Sequence, residues 1–270
     1  MRDLVYVVID SARYDSVAEA QTPNMAALGR IERRYSFASW TPPSHLVYLM
    51  GLTPHTSPVG IFASEVYKAD YSAWGSRLDI ADTTMGDFVP AFSLPRFLKN
   101  HGYVARAMVS MPIINQHTIL ARDFDSYRLM PRHDDFGSII ESTEFSPGTP
   151  TFYFLNLGEA HYPYMIPPAE LARLTGEPGV ILRSGEPAPG ASTPECSYTS
   201  QHLKRFHEAQ RAAVEQVDRL LPALFAKCLP DTFVMITADH GELFGEDGYF
   251  GHGPICHPKV FEVPFVEGRL

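Results

Sequence analysis

Thr232–Gly253 reads TFVMITADHGELFGEDGYFGHG. Its first part, TFVMITAD, carries apolar residues on both faces, the pattern of a strand inside a sheet covered by helices. The strand runs into Asp239 and His240, then a Gly-rich turn, then FGHG with His252. Ligands in open α/β sheets collect beyond the carboxyl ends of strands. The stretch therefore predicts both a sheet and a site at its edge. Three more runs share the pattern: LVYVVID from Leu4, YVARAMVS from Tyr103 and TFYFLNL from Thr151. The first ends in Asp10, and the last is followed by Glu159 and His161.

Helical segments fall between these strands. TPNMAALGRIE has Thr22 as its N-cap and Pro23 at the first helical position. LPRFLKNHG stops at Gly102, just before a strand. The longest helix, SQHLKRFHEAQRAAVEQVDRLLPALFAKC, begins at Ser200. Its Leu203, Phe206, Ala209, Ala213, Val217 and Leu220 recur at spacings of three and four, making one apolar face. Alternating strands and helices predict an α/β layered fold. With 270 residues, 45% of them hydrophobic, a single domain over 1–270 can bury a large core. A Pro/Gly/Ser-rich excursion at about 163–199 interrupts it, with one short helix at PAELARL.

The net charge of -9 and the lack of a basic stretch speak against nucleic acid as a partner. No apolar run reaches about 18 residues, so no membrane span is expected. The N-terminal MRDLVYVVIDSARYDS lacks signal-peptide anatomy. Cys196, Cys228 and Cys256 are scattered, odd in number and without metal-ligand spacing, as reduced structural thiols are. A cytoplasmic location is the expectation.

Carboxylate, imidazole and hydroxyl at one sheet edge suit a divalent cation such as Zn, Mn, Mg or Ca. Singly, each residue has a structural reading. Asp10 can cap a helix, DHG can make a turn, His161 can be a hydrogen-bonded surface residue, and Thr41 can cap the helix that follows it. Their joint arrangement points to chemistry. In WTPPSHLVYLMGLTPH (Trp40–His55), a threonine hydroxyl ionises too little to react alone and needs a metal or a base to activate it.

At this point the sequence resembles a sulfatase-type member of the alkaline phosphatase superfamily. VVIDSARYDS resembles that family's opening strand and metal aspartate, TPNMAALG its TPNLDALA segment, and TPPSHLVYLMGLTPH its nucleophile signature and the helix after it. LPRFLKNHGYVARAMVS, ARDFDSY, FLNLGEAHYPY, ITADHGELFGEDGYFGHG and EVPFV resemble further landmarks, in family order from residue 4 to 266. The resemblance implies an alkaline-phosphatase-like layered fold, a central mostly parallel sheet flanked by helices. The chain stops where many sulfatases continue, so their C-terminal subdomain is expected to be missing.

The resemblance also assigns roles. Asp10, Thr41, Asp239 and His240 would bind a metal, and Thr41 would be the nucleophile. His161 and His252 would face the substrate as catalytic groups or, with Glu159, hold a second metal. His45 takes the place of the signature's arginine beside the substrate, and Asn115 is a candidate phosphoryl contact. Arg13 is expected to be structural. Two-metal relatives place an aspartate where this chain has Leu157, so one metal site is expected rather than two. Thr41 stands where sulfatases carry the formylglycine precursor, and Ser11 and His45 replace two further sulfatase residues. These departures favour phosphorus chemistry.

The expected function is a metal-dependent hydrolase of phosphate esters (phosphomonoester, phosphodiester or phosphonate) acting through a phospho-threonine. The substrate is a small-molecule or carrier-bound phosphoester. The alternatives are a sulfatase working without formylglycine, a phosphotransferase to an alcohol acceptor, and a non-catalytic metal-stabilised binding module.

Overall fold

The computed structural model describes residues 1–50, 72–81, 93–175, 198–253 and 255–270. Its main sheet holds β1 (Leu4–Ile9), β2 (Glu32–Tyr35), β3 (Val104–Val109), β4 (Ser126–Leu129), β5 (Thr151–Leu157), β6 (Phe233–Thr237) and β9 (Glu262–Arg269). The spatial order is β2-β9-β6-β1-β5-β3-β4. β6, β1, β5, β3 and β4 pair in parallel, and β9 runs antiparallel to both its neighbours. A separate two-stranded ribbon pairs β7 (Leu243–Phe244) with β8 (Phe250–Gly251).

All four expected strands are present. β1 is buried along its length because both faces are covered. Successive side chains of a strand alternate, so Val5, Val7 and Ile9 enter one apolar cluster while Leu4, Tyr6 and Val8 enter the other. Helices among the described residues include α1 (Tyr14–Glu19), α2 (Pro23–Leu28), α3 (Thr41–Met50), α4 (Leu94–Asn100), α5 (Phe136–Glu141), α6 (Pro168–Thr175), α7 (Ser200–Phe225) and α8 (Pro258–Phe261). Val17, Met25, Ile139 and Val217 from α1, α2, α5 and α7 pack on the first face. Leu49, Phe97 and Leu98 from α3 and α4 pack on the second. Each such side chain, fully buried, contributes about 1.5–3 kcal/mol. The result is a helix–sheet–helix sandwich, a mostly parallel α/β fold.

Three details depart from the sequence reading. The buried stripe of α7 passes from Val217 to Leu221 and Leu224, and Leu220 is only half-buried. A helix turns once per 3.6 residues, so a strict three-and-four count drifts off the face over five turns. The helix also ends at Phe225, three residues before Cys228. Thr22 holds the N-cap position of α2 but makes no side-chain cap bond. Asp218, buried on α7, does that work. Its Oδ1 accepts from Met25 N at 2.8 Å and its Oδ2 from Asn24 N at 3.2 Å and Asn24 Nδ2 at 2.9 Å. Asp218→Ala orphans these donors and is expected to lower stability by about 2–4 kcal/mol, measured by urea unfolding. Thr22→Ala should change little.

Residues 176–197 of the Pro/Gly-rich excursion lie outside the described residues. Its start is packed: Tyr164, Ile166 and Leu171 are buried against Phe206 and Ala209 of α7. The expected short helix is α6.

Candidate metal and phosphoryl site

β1 lies between β6 and β5, and strands in a sheet are about 4.8 Å apart. The residues leaving the carboxyl ends of these three strands therefore meet, although some 230 positions of sequence separate the outermost. Asp10 follows β1, Asp239 and His240 follow β6, and Thr41 opens α3. All four are buried. Asp10, Asp239 and His240 each present a ligand atom within 4.8 Å of the others.

The hydrogen bonds define which atoms remain free. Asp239 Oδ1 accepts from Ser11 N and His240 N, both at 3.0 Å, while its buried Oδ2 has no partner. His240 Nδ1 lies 2.9 Å from the Gly241 carbonyl, which only accepts, so Nδ1 carries the proton. The lone pair on Nε2 then faces Asp239 Oδ2 at 3.4 Å, Thr41 Oγ1 at 3.3 Å and Asp10 Oδ1 at 4.0 Å. Thr41 Oγ1 also lies 3.5 Å from Asp10 Oδ2. Burial, and for Asp10 the repulsion of Asp239, push both carboxyl pKa values up. Burial and the charge of His252 push His240 down to about 3. An orphaned carboxylate oxygen, an imidazole lone pair, a second carboxylate and a hydroxyl make a donor set for a borderline divalent cation. The residues present fit the metal that the sequence implies.

The glycine after His240 is required by close approach. Gly241 N donates to the Val260 carbonyl at 2.6 Å, and a Cβ on Gly241 would collide with the Lys259 carbonyl oxygen.

His161 and His252 stand beside this group. The His252 ring centroid is 4.2 Å from that of His240 and 5.3 Å from that of His161. Leu243 pairs with Gly251 in the β7–β8 ribbon, and this register sets Glu242 opposite His252. Glu242 Oε1 lies 2.8 Å from His252 Nδ1. Burial lowers the His252 pKa, but Glu242 outweighs it and the value rises to about 9. Replacing that carboxylate leaves burial opposed only by the weaker attraction of Asp10 and Asp239. Glu242→Gln is therefore expected to move the alkaline limb of the pH–rate profile to lower pH by at least about one unit. An unmoved limb would show that His252 does not set it.

Other expected positions come out differently. His45 is fully buried and lies behind the site: its Nδ1 donates to the Thr41 carbonyl at 2.8 Å, and its Nε2 lies 3.4 Å from Asn156 Nδ2. It is hydrogen-bonded to the backbone of Thr41. Asn115 spends its amide on its own turn, donating to the Pro112 carbonyl and accepting from His117 N. Glu159 Oε1 accepts from Phe136 N at 2.6 Å, at the start of α5, and burial pushes its pKa up to about 7. Its Oε2 is buried without a hydrogen-bond partner. Among the described residues, Asp10, Asp239 and His240 form the group placed to hold a metal. Arg13 is structural as expected, paired with Asp15 and Glu246 at 2.6 Å each.

Two buried amides escaped the sequence reading. Asn156, within β5, donates to Asp10 Oδ2 at 3.1 Å. Gln210, on the buried face of α7, donates to the carbonyls of Ser11 and Ala160 at 2.9 and 3.1 Å and ties two site loops together. The signal was available: a polar side chain inside an apolar run is buried only with partners.

No family model matches the chain, and no curated protein matches it. Solved structures do. The C-terminal periplasmic domain of EptC from Escherichia coli, in complex with Zn, aligns with a TM-score of 0.60 at 14% identity, over 99% of this chain and 72% of that one. A protein in the alkaline phosphatase superfamily from Vibrio parahaemolyticus aligns with a TM-score of 0.52 at 15% identity, over 98% of this chain and 59% of that one. The chain shares its fold with these structures, the second of them a protein of the alkaline phosphatase superfamily. The phosphonate monoester hydrolase of Agrobacterium radiobacter shares this fold, with a TM-score of 0.57 at 15% identity over 99% of this chain and 68% of that one. Among the described residues, no helix is long and apolar enough to cross a membrane.

Proposed function

We propose that the chain is a single-domain, metal-dependent hydrolase of phosphate or phosphonate esters, and that Thr41 is its nucleophile. The observation that carries this reading is the position of Thr41 Oγ1, within 3.5 Å of both Asp10 Oδ2 and His240 Nε2, beside the unpartnered Oδ2 of Asp239. Asp10, Asp239, His240 and Thr41 would hold one cation, with Zn or Mn best matched to the mixed oxygen and nitrogen donors. Bound there, it supplies positive charge that favours the ionised hydroxyl and offsets charge on phosphoryl oxygens.

The chain's own groups account for the remaining work. Thr41 loses its proton to solvent and its Oγ1 bonds to phosphorus as the ester P–O bond breaks. Thr41 opens α3, where the positive end of the helix dipole favours an anion. His252, held protonated by Glu242, and His161 beside it face the phosphoryl oxygens and protonate the leaving group. Water then attacks phosphorus, giving its proton to the imidazole that protonated the leaving group, and the Oγ1–P bond breaks. An alcohol in place of water gives transfer. Buried His45 and Asn156 fix Thr41 and Asp10 from behind.

The test compares a bis-aryl phosphate, an aryl phosphate, an aryl phosphonate and an aryl sulfate, with and without chelator and with an added alcohol acceptor. Metal-dependent turnover of the phosphorus esters is expected. Faster turnover of the sulfate would replace this reading with a sulfatase. A chelator without effect on turnover or ligand binding would remove the metal from it.

A further inference from the structure

We infer that Asn156 is a positioning residue that couples the metal carboxylate Asp10 to the nucleophile helix through His45; the metal part of this inference rests on the proposed function. Asn156 is fully buried in β5, between β1 and β3. Its Oδ1 faces two backbone donors, Ser110 N and Met111 N, each at 3.2 Å. An amide nitrogen there would face two N–H groups, so the oxygen must take that side. The NH2 group is thereby directed to Asp10 Oδ2 at 3.1 Å and to His45 Nε2 at 3.4 Å.

The consequence for His45 follows from donor and acceptor counting. Its Nδ1 meets the Thr41 carbonyl at 2.8 Å, which only accepts, so Nδ1 bears the proton. Its Nε2 meets an N–H of Asn156, so Nε2 bears the lone pair. One amide thus orients a metal-binding carboxylate and, by donating to Nε2, holds the ring of the imidazole whose Nδ1–H is bound by the Thr41 carbonyl in the first turn of α3. The same Asp10 Oδ2 lies 3.5 Å from Thr41 Oγ1. Asn156 therefore fixes two elements of the site, Asp10 and the Thr41 backbone, relative to one another. Outer partners of this kind commonly contribute about 10–100-fold in metal affinity.

The test uses the full chain. Nitrogen-15 NMR of the histidine rings reads the His45 tautomer in wild type, with His45→Gln assigning the signal. Zinc affinity is measured by competition with a chromogenic chelator for wild type, Asn156→Ser and Asn156→Asp. The expected results are a single proton on Nδ1 in wild type and zinc affinity at least about 10-fold weaker in Asn156→Ser. Asn156→Asp keeps the acceptor toward Ser110 and Met111 but loses the donor. It should change the His45 ring shifts while retaining the far-ultraviolet dichroism of the fold. A wild-type His45 with its proton on Nε2 overturns the inference even if neither variant folds. Wild-type zinc affinity and wild-type His45 shifts in both folded variants overturn it as well. A wild-type protein that binds no zinc overturns the metal reading of the site, and the His45 ring shifts of the Asn156 variants then still decide the role of Asn156.

Discussion

Thr41→Ala will lower turnover of phosphorus esters by about 10³-fold or more while leaving the bound metal in place. The residual rate reflects what positioning and electrostatics achieve without the nucleophile. Three of the four proposed ligands, Asp10, Asp239 and His240, remain and converge without Thr41. Thr41 is 4% exposed, so the alanine fills most of its space and the fold should stay. Thr41→Ser keeps the hydroxyl and should keep measurable activity, since only a methyl is lost. Acid-quenched wild-type enzyme should carry a phosphoryl group on the peptide containing Thr41. A Thr41→Ala protein with bound metal and wild-type turnover would make water the direct nucleophile and end the covalent mechanism.

Removing the metal should destabilise the wild-type protein, and Asp239→Asn should abolish that dependence while stabilising the metal-free fold. Asp10 and Asp239 are both fully buried, and Asp239 Oδ2 has no hydrogen-bond partner. Burial, and at Asp10 the neighbouring carboxylate as well, raise both pKa values, the signature of carboxylates lacking a countercharge. A cation present at about 1,000 times its dissociation constant adds about 4 kcal/mol. For a chain of this size that is a fall of roughly 10 °C in Tm on chelation. Asp239→Asn keeps the oxygen that accepts from Ser11 N and His240 N, and can turn its NH2 toward His240 Nε2, now 3.4 Å from Oδ2. The metal-free variant should be about 1–2 kcal/mol more stable than metal-free wild type, because a buried negative charge is gone. Its Tm should be insensitive to chelator and its turnover lost. Calorimetry on the metal-free proteins checks the sign. A less stable Asp239→Asn would show that the two carboxylates are not in conflict without a cation.

The sheet was legible because its central strands are covered on both faces, which forces unbroken apolar runs such as LVYVVI and TFYFLNL. The edge strands were not. ERRY is a four-residue strand with mostly exposed side chains, and SYRL alternates exposed with half-buried positions, so neither carries a hydrophobic signal distinct from a loop. The candidate ligands were legible for a related reason: Asp10 and Asp239 each close an apolar strand, where a charged residue has no packing role. Glu159 carried the same signal, yet its carboxylate serves the start of α5. A strand end supplies position but not direction.

By itself the sequence determined the α/β class, four of the five inner strands and the edge of the sheet at which Asp10, Thr41, Asp239, His240, His161 and His252 gather. These depend on local hydrophobic pattern and on strands ending in polar residues, both written along the chain. Only the tertiary structure decided which of the candidates work together. The order β6-β1-β5 brings Asp239 and Asp10 beside Asn156, and a helix register places Gln210 under Ser11 and Ala160. It buries His45 against the Thr41 carbonyl and ties Glu159 Oε1 to the start of α5. Hydrogen bonds between segments distant in sequence are directional and depend on strand order. Composition and spacing along one segment carry no record of them.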